Sequence, residues 1–179
     1  MYQEISTHIR ERAAKFADAV LHPGVFLPNE IEEKLHAGAH LAEIGCGEGE
    51  SLIRLAQTYP KSFFSGIDPG YTSIIAARRK AKEARVTDQV SFLVGSLKSY
   101  FGEQYDIITT RHEYLAPVTL AEAAAYVREK LREDGAWLFS LPLNGNSEKR
   151  LGEMVRQGGF TRFRRAGENR FRALYEARP

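Results

Sequence analysis

Apolar positions recur every three or four residues at the start of the chain: Ile5, Ile9, Ala13, Phe16 and Val20. That spacing lines one face of a helix over residues 4–22. His22-Pro23-Gly24 ends it, because proline cannot continue the hydrogen-bond ladder. A second, short helix is expected from Asn29, whose side chain suits an N-cap, through Leu35 and up to Gly38. From His40 onward, short apolar runs alternate with amphipathic stretches. The pattern predicts strands at 40–45, 62–67, 90–94, 105–110 and 135–141, and helices at 50–58, 71–84 and 119–132. The link between 94 and 105 leaves room for one helical turn, from Leu97 to Phe101. Such alternation builds a doubly wound parallel sheet with helices on both faces.

After Pro142 the order changes. A helix is expected from Ser147 to Gln157, stopped by Gly158-Gly159. Two further runs, Phe160 to Arg165 and Arg170 to Ala177, flank Ala166-Gly167-Glu168-Asn169 and read as an antiparallel hairpin. The expected fold is therefore α/β: a doubly wound, mostly parallel, seven-stranded sheet closed by a C-terminal antiparallel hairpin. Residues 38–179 form that core, and residues 1–37 are an N-terminal helical appendage.

Bulk properties narrow the class without choosing a function. The 179 residues are 43% hydrophobic and 27% charged, an ordinary globular balance. Apolar runs such as Ala136 to Leu141 are strand-sized, so no membrane-spanning helix is expected. Glu4, His8, Arg10, Glu11 and Arg12 interrupt any signal-peptide core, and the single cysteine fits a reducing compartment, so the expected location is cytoplasmic. No metal site is expected. Net charge is +2, but from Glu148 onward nine basic residues face four acidic ones. Such a bias marks either a surface for nucleic acid or an acidic substrate, or arginines alternating with core residues on a solvent-facing strand.

The chemistry centres on Leu41-Ala42-Glu43-Ile44-Gly45-Cys46-Gly47-Glu48-Gly49-Glu50. A strand runs into closely spaced glycines and then a helix, so the backbone can turn sharply and approach a ligand without a Cβ in the way. A dinucleotide fingerprint, Gly-x-Gly-x-x-Gly, needs its third glycine at position 50, where this chain has Glu50. Asp68 ends the second strand in Gly66-Ile67-Asp68-Pro69, a spacing that suits a carboxylate accepting two ribose hydroxyls.

Gly-x-Gly-x-Gly with Glu43 two residues before it resembles the nucleoside-binding loop of class I S-adenosylmethionine-dependent methyltransferases. The resemblance covers about residues 38–179 and implies S-adenosyl-L-methionine as cofactor. It implies that Gly45, Cys46, Gly47 and Gly49 wrap the amino-acid part of the cofactor, with Glu43 helping to hold its ammonium. Asp68 and Pro69 then fall at the ribose, and Gly95, Ser96 and Leu97 at the adenine. Many members carry an acid where this chain has Ser96, a shorter and uncharged acceptor.

Tyr105-Asp106 opens the fourth strand, whose end, at Arg111, contacts the methionine portion in the family. The following His112, Glu113 and Tyr114 face the methyl acceptor, with His112 as a candidate base poised by Glu113. Tyr2, Phe16, His22 and Phe26 are candidates for a lid, while Trp137 reads as core. The leading expectation is methyl transfer to a small organic acceptor. The alternatives are an RNA methyltransferase using the basic C-terminal region, and a protein that binds the adenosyl cofactor without transferring its methyl group.

Overall fold

The computed structural model describes residues 28–98, 104–111, 118–143, 145 and 147–179, with only the backbone of Arg111. The expected helix over 4–22, the lid residues Tyr2, Phe16, His22 and Phe26, and the Asn144 and Asn146 loop positions lie outside the described residues. So do Phe101 and His112, Glu113 and Tyr114.

Five strands alternate with helices as the pattern predicts: β1 (His40–Ile44), α2 (Glu50–Thr58), β2 (Phe63–Asp68), α3 (Tyr71–Glu83), β3 (Val90–Val94), β4 (Tyr105–Arg111), α4 (Leu120–Lys130) and β5 (Leu131–Pro142). They are preceded by α1 (Asn29–Ala37) and followed by α5 (Glu148–Gln157), β6 (Arg162–Glu168) and β7 (Arg172–Arg178). The sheet has seven strands in the order β3-β2-β1-β4-β5-β7-β6. All pairs through β5 are parallel, and β7 runs antiparallel to both of its neighbours. Winding goes outward from β1 toward β3 on one side and from β4 onward on the other. The reversal lies between β1 and β4, and ligands of open α/β sheets bind beyond the carboxyl ends of the strands at such a point.

Strand alternation splits the core in two. Leu41, Phe64, Ile107 and Leu138 face α1, α2 and α3, where Ile31, Leu35, Leu52, Leu55, Ile74 and Ala77 meet them. Ala42, Ile44, Ile108, Trp137 and Phe139 face α4 and α5 through Ala123, Val127, Leu151 and Val155. Trp137 is core, as expected: it is fully buried, its ring centroid lies 4.3 Å from that of Phe139 with the planes tilted by 30°, and it donates from Nε1 to the Thr110 hydroxyl at 3.0 Å. Among the described residues, no helix is long and apolar enough to cross a membrane.

Element ends differ from the pattern in three instructive places. Pro28, in extended conformation, holds the N-cap place of α1, and Asn29 is the first helical residue, so the expected Asn29 cap is not made. The stretch up to 132 reads as helix, yet α4 stops at Lys130 and β5 begins at Leu131. Leu131 is fully buried opposite Tyr105, and the Arg132 guanidinium grips both Asp106 oxygens at 2.8 Å, which favours the sheet over another helical turn. In the hairpin, Phe160 is a buried core residue ahead of β6, and the strand continues to Glu168 through an irregularity between Arg165 and Gly167. The connection is thus Asn169 to Phe171, where the Asn169 carboxamide oxygen accepts from the Phe171 and Arg172 N–H groups at 2.9 Å.

Candidate active site

The loop from β1 into α2 is shaped by glycine. Gly45, Gly47 and Gly49 have φ of 84°, 55° and 75°, the left-handed region that side chains with a Cβ avoid. Beyond conformation, their surroundings differ. A Cβ on Gly49 would lie 2.3 Å from the Phe92 ring, so that glycine lets the loop close on β3. A Cβ on Gly47 would meet nothing within 4 Å, so that glycine faces open space at the mouth of the cleft.

Asp68 locks this loop to the end of β2. One carboxylate oxygen accepts from the Gly47 N–H at 2.9 Å and the other from the Gly70 N–H at 2.8 Å, with the side chain 4% exposed. The Gly45 and Cys46 N–H groups both reach the Ile67 carbonyl, and the Gly95 N–H reaches the Asp68 carbonyl at 3.0 Å. Glu43, on β1, is buried beneath the same loop and accepts from the Ser51 hydroxyl on α2 at 2.6 Å. On the outer side, Lys80 of α3 bridges Glu48 and Glu50 at 2.6 and 2.7 Å. Hydrogen bonding to Glu48 and then Glu50 raises the Lys80 pKa, and the Lys80 bond holds that of Glu50 below the usual carboxylate value. Gly49 caps α2 without a side-chain bond, so the first turn presents its N–H groups to the cleft end of the sheet.

The residues singled out from sequence thus gather along one edge, with distinct surroundings. Gly47 and Gly95 are bonded to Asp68, Gly45 to Ile67 beside it and Glu43 to Ser51 of α2, while Gly49 closes against Phe92. Pro69 is exposed beside Asp68, and Ser96 is exposed beyond β3. The Cys46 side chain points inward, since a Cβ on Gly66 would lie 2.8 Å from its sulfur. The thiol is buried and donates weakly to the Gly47 carbonyl at 3.7 Å. Leu97 packs on the α4 side of the sheet with Ile44, Tyr105 and Val127. Arg111 ends β4 in register with Ser140 of β5. His112 and Glu113, the candidate base and its partner, follow Arg111 but lie outside the described residues.

Three further residues on this edge were not singled out from the pattern. Tyr71 opens α3 at 67% exposure, three residues after Asp68, and Val94, in register with Asp68, is 49% exposed. Large apolar side chains held out in water beside a nucleoside-type loop suit the flat face of a base. An aromatic directly after Asp-Pro-Gly was the available signal for Tyr71. Ser140 is buried at 2%, and its hydroxyl has no hydrogen-bond partner among the described residues. It sits in a run read simply as core strand, so sequence carried no signal for it.

Residues 41–135, more than half of the chain, match the family model described as a methyltransferase domain. This chain belongs to the class I S-adenosylmethionine-dependent methyltransferase family. The methyltransferase match covers β1 through the start of β5 and so includes the glycine loop, Asp68 and Arg111. Over 117 residues the chain is 29% identical to a carboxy-S-adenosyl-L-methionine synthase of Campylobacter curvus, covering 64% of this chain and 49% of that protein. Over 121 residues it is 30% identical to a release factor glutamine methyltransferase of Geobacter sulfurreducens, covering 63% and 42% respectively. The chain therefore spans about half the length of the curated relatives it matches. Its fold is that of the magnesium protoporphyrin IX methyltransferase of Synechocystis PCC 6803 with bound S-adenosylmethionine. That superposition has a TM-score of 0.64 at 20% identity and covers 84% of this chain and 77% of the other.

The described residues fit the family's cofactor, S-adenosyl-L-methionine. The open side of Gly47 is a cradle that a Cβ would begin to fill. Asp68 uses two of its carboxylate's roughly four lone-pair sites on backbone N–H groups, which leaves one on each oxygen for a pair of hydroxyls.

Proposed function

We propose that this methyltransferase-family chain transfers a methyl group from S-adenosyl-L-methionine to a small organic acceptor. The observation that carries the reading is the left-handed glycine loop fastened to a buried Asp68 while Gly47 stays open to the cleft. When bound, the cofactor supplies a methyl group already activated on a sulfonium centre. The chain's own task is then to hold the acceptor in line and keep water out.

In this reading Asp68 accepts the ribose hydroxyls, and the loop backbone follows the amino-acid end with Glu43 beneath it. Tyr71 and Val94 flank the base, and Ser96 supplies a neutral acceptor near it. Arg111 and Ser140 lie level on β4 and β5, and a polar group of the acceptor meets the Ser140 hydroxyl. A buried hydroxyl with no partner, as Ser140 has none among the described residues, costs about 1–3 kcal/mol, which a bound acceptor relieves. His112, directly after Arg111, takes the acceptor's proton with Glu113 poising its imidazole.

The choice of a small acceptor over RNA is supported by the basic region. Arg164 and Arg178 are bound to Glu176, Arg178 also to Glu30, and Arg165 to Glu148 and Glu168. These three pairings interrupt the run of free charge that an RNA backbone would follow. Incubation with methyl-labelled S-adenosylmethionine and a cell extract split into metabolite, protein and RNA fractions tests the reading. Label is expected in the metabolite fraction. Label confined to RNA or protein would overturn the choice of acceptor, and no transfer to any fraction would leave cofactor binding alone.

A further inference from the structure

A second cavity, of about 390 Å³, lies at the outer edge of the sheet where α5, β6, β7 and the start of α1 meet. It is remote from the cofactor cleft. Arg162 pairs with Arg178, and both lie level with Leu41, at the amino end of β1. The cleft opens at the opposite, carboxyl end. β6 is also four strand positions from β1, roughly 19 Å at the usual strand spacing.

Four arginines and two glutamates line this cavity, and the carboxylates are unevenly shared. Glu176 is 2% exposed. One of its oxygens accepts from the Arg164 Nε at 2.7 Å and the other from the Arg178 Nε at 2.6 Å. Arg178 reaches on to Glu30 at 2.6 Å and is thereby saturated with acid. Arg156 on α5 and Arg162 on β6 are exposed and have no hydrogen-bond or ion-pair partner among the described residues. The lining thus carries two guanidinium charges in excess. Arg164, its Nε held by a buried carboxylate, keeps a fixed orientation at no further entropic cost.

We propose that this cavity binds a small phosphate-bearing anion, taken by Arg156 and Arg162 and by the free side of Arg164. Guanidinium forks match phosphate oxygens in pairs, and the excess positive charge favours a multiply charged phosphate. A nucleic-acid backbone would need a run of unspent cations along the surface, whereas the neighbouring Arg165 and Arg178 are neutralised. The site stands independently of the methyl-transfer reading.

Calorimetric titration of inorganic pyrophosphate into the full chain tests it. Saturable binding is expected in the wild type, weakened at least roughly tenfold in the R156A/R162A double variant, the scale of losing charged hydrogen bonds. Both side chains are exposed and have no partner among the described residues, so the variant should keep its thermal transition and its affinity for S-adenosylhomocysteine. Absence of saturable pyrophosphate binding, or equal binding by wild type and variant, would overturn the site. A single-stranded RNA that displaces pyrophosphate, with affinity falling steeply as salt rises, would place the phosphate on a polymer and overturn the small-ligand assignment.

Discussion

The glycine loop and the C-terminal hairpin hold charge in opposite ways. Around the loop, the acids are bound mainly by fixed groups: Asp68 accepts from two backbone N–H groups, and Glu43 accepts from a buried serine. In the hairpin, the acid Glu176 is bound by the flexible arms of two arginines. The first arrangement leaves the loop's outer face open for a ligand, while the second consumes the charge of Arg164, Arg165 and Arg178 and, among the described residues, leaves that of Arg162 unspent. A basic sequence region is therefore weaker evidence of a binding surface than a short run of glycines beside an acid.

The most damaging change to the loop should be Gly49→Ala. Left-handed backbone costs a residue with a Cβ roughly 1–2 kcal/mol, and overpacking against Phe92 adds about 1–3, so urea unfolding should show a loss near 3–4. Gly47→Ala should lose only the conformational part, about 1–2 kcal/mol, and yet weaken S-adenosylhomocysteine binding. Equal stabilities for the two variants would remove the distinction between a packing glycine and a ligand-facing one. Next comes Glu176→Ala, which strands Arg164 and Arg178. Loss of one partner from a buried pair costs about 3–5 kcal/mol, and the half-exposed Arg164 puts this case at the low end. A fall in melting temperature without change in cofactor affinity is the expected result.

The smallest effect should come from Lys80→Ala, since both of its carboxylate partners are exposed. Lys80 holds the Glu50 pKa below the usual value. This contribution is therefore present above the unfolded-state pKa and fades as pH falls through the lower folded value. Melting curves of wild type and variant should converge toward acid pH and at high salt. A difference that grows on acidification would contradict the bridge.

What could be read from sequence was what the backbone dictates locally. Three glycines at alternate positions marked a sharp turn with room for a ligand, and alternating apolar runs marked a doubly wound sheet. Bonds that depend on register were not legible. Asp68 could be placed at a strand end, but its grip on Gly47 arises from the pairing of Ile44 with Ile67. Arg164 and Glu176 are twelve residues apart and meet only because β6 and β7 align them. The start of β5 was hidden because Leu131-Arg132-Glu133-Asp134 has good helix formers, and only the buried contact with Tyr105 and the Asp106 pair draw it into the sheet.

Titration of S-adenosylhomocysteine into wild type and Asp68→Ala by calorimetry tests the central claim, that the loop and Asp68 form the cofactor site. Saturable binding by the wild type is expected, with a loss of about 1.5–3 kcal/mol in the variant, the scale of hydrogen bonds to a charged group. Failure of the folded wild type to bind, or an unchanged affinity in Asp68→Ala, would contradict it.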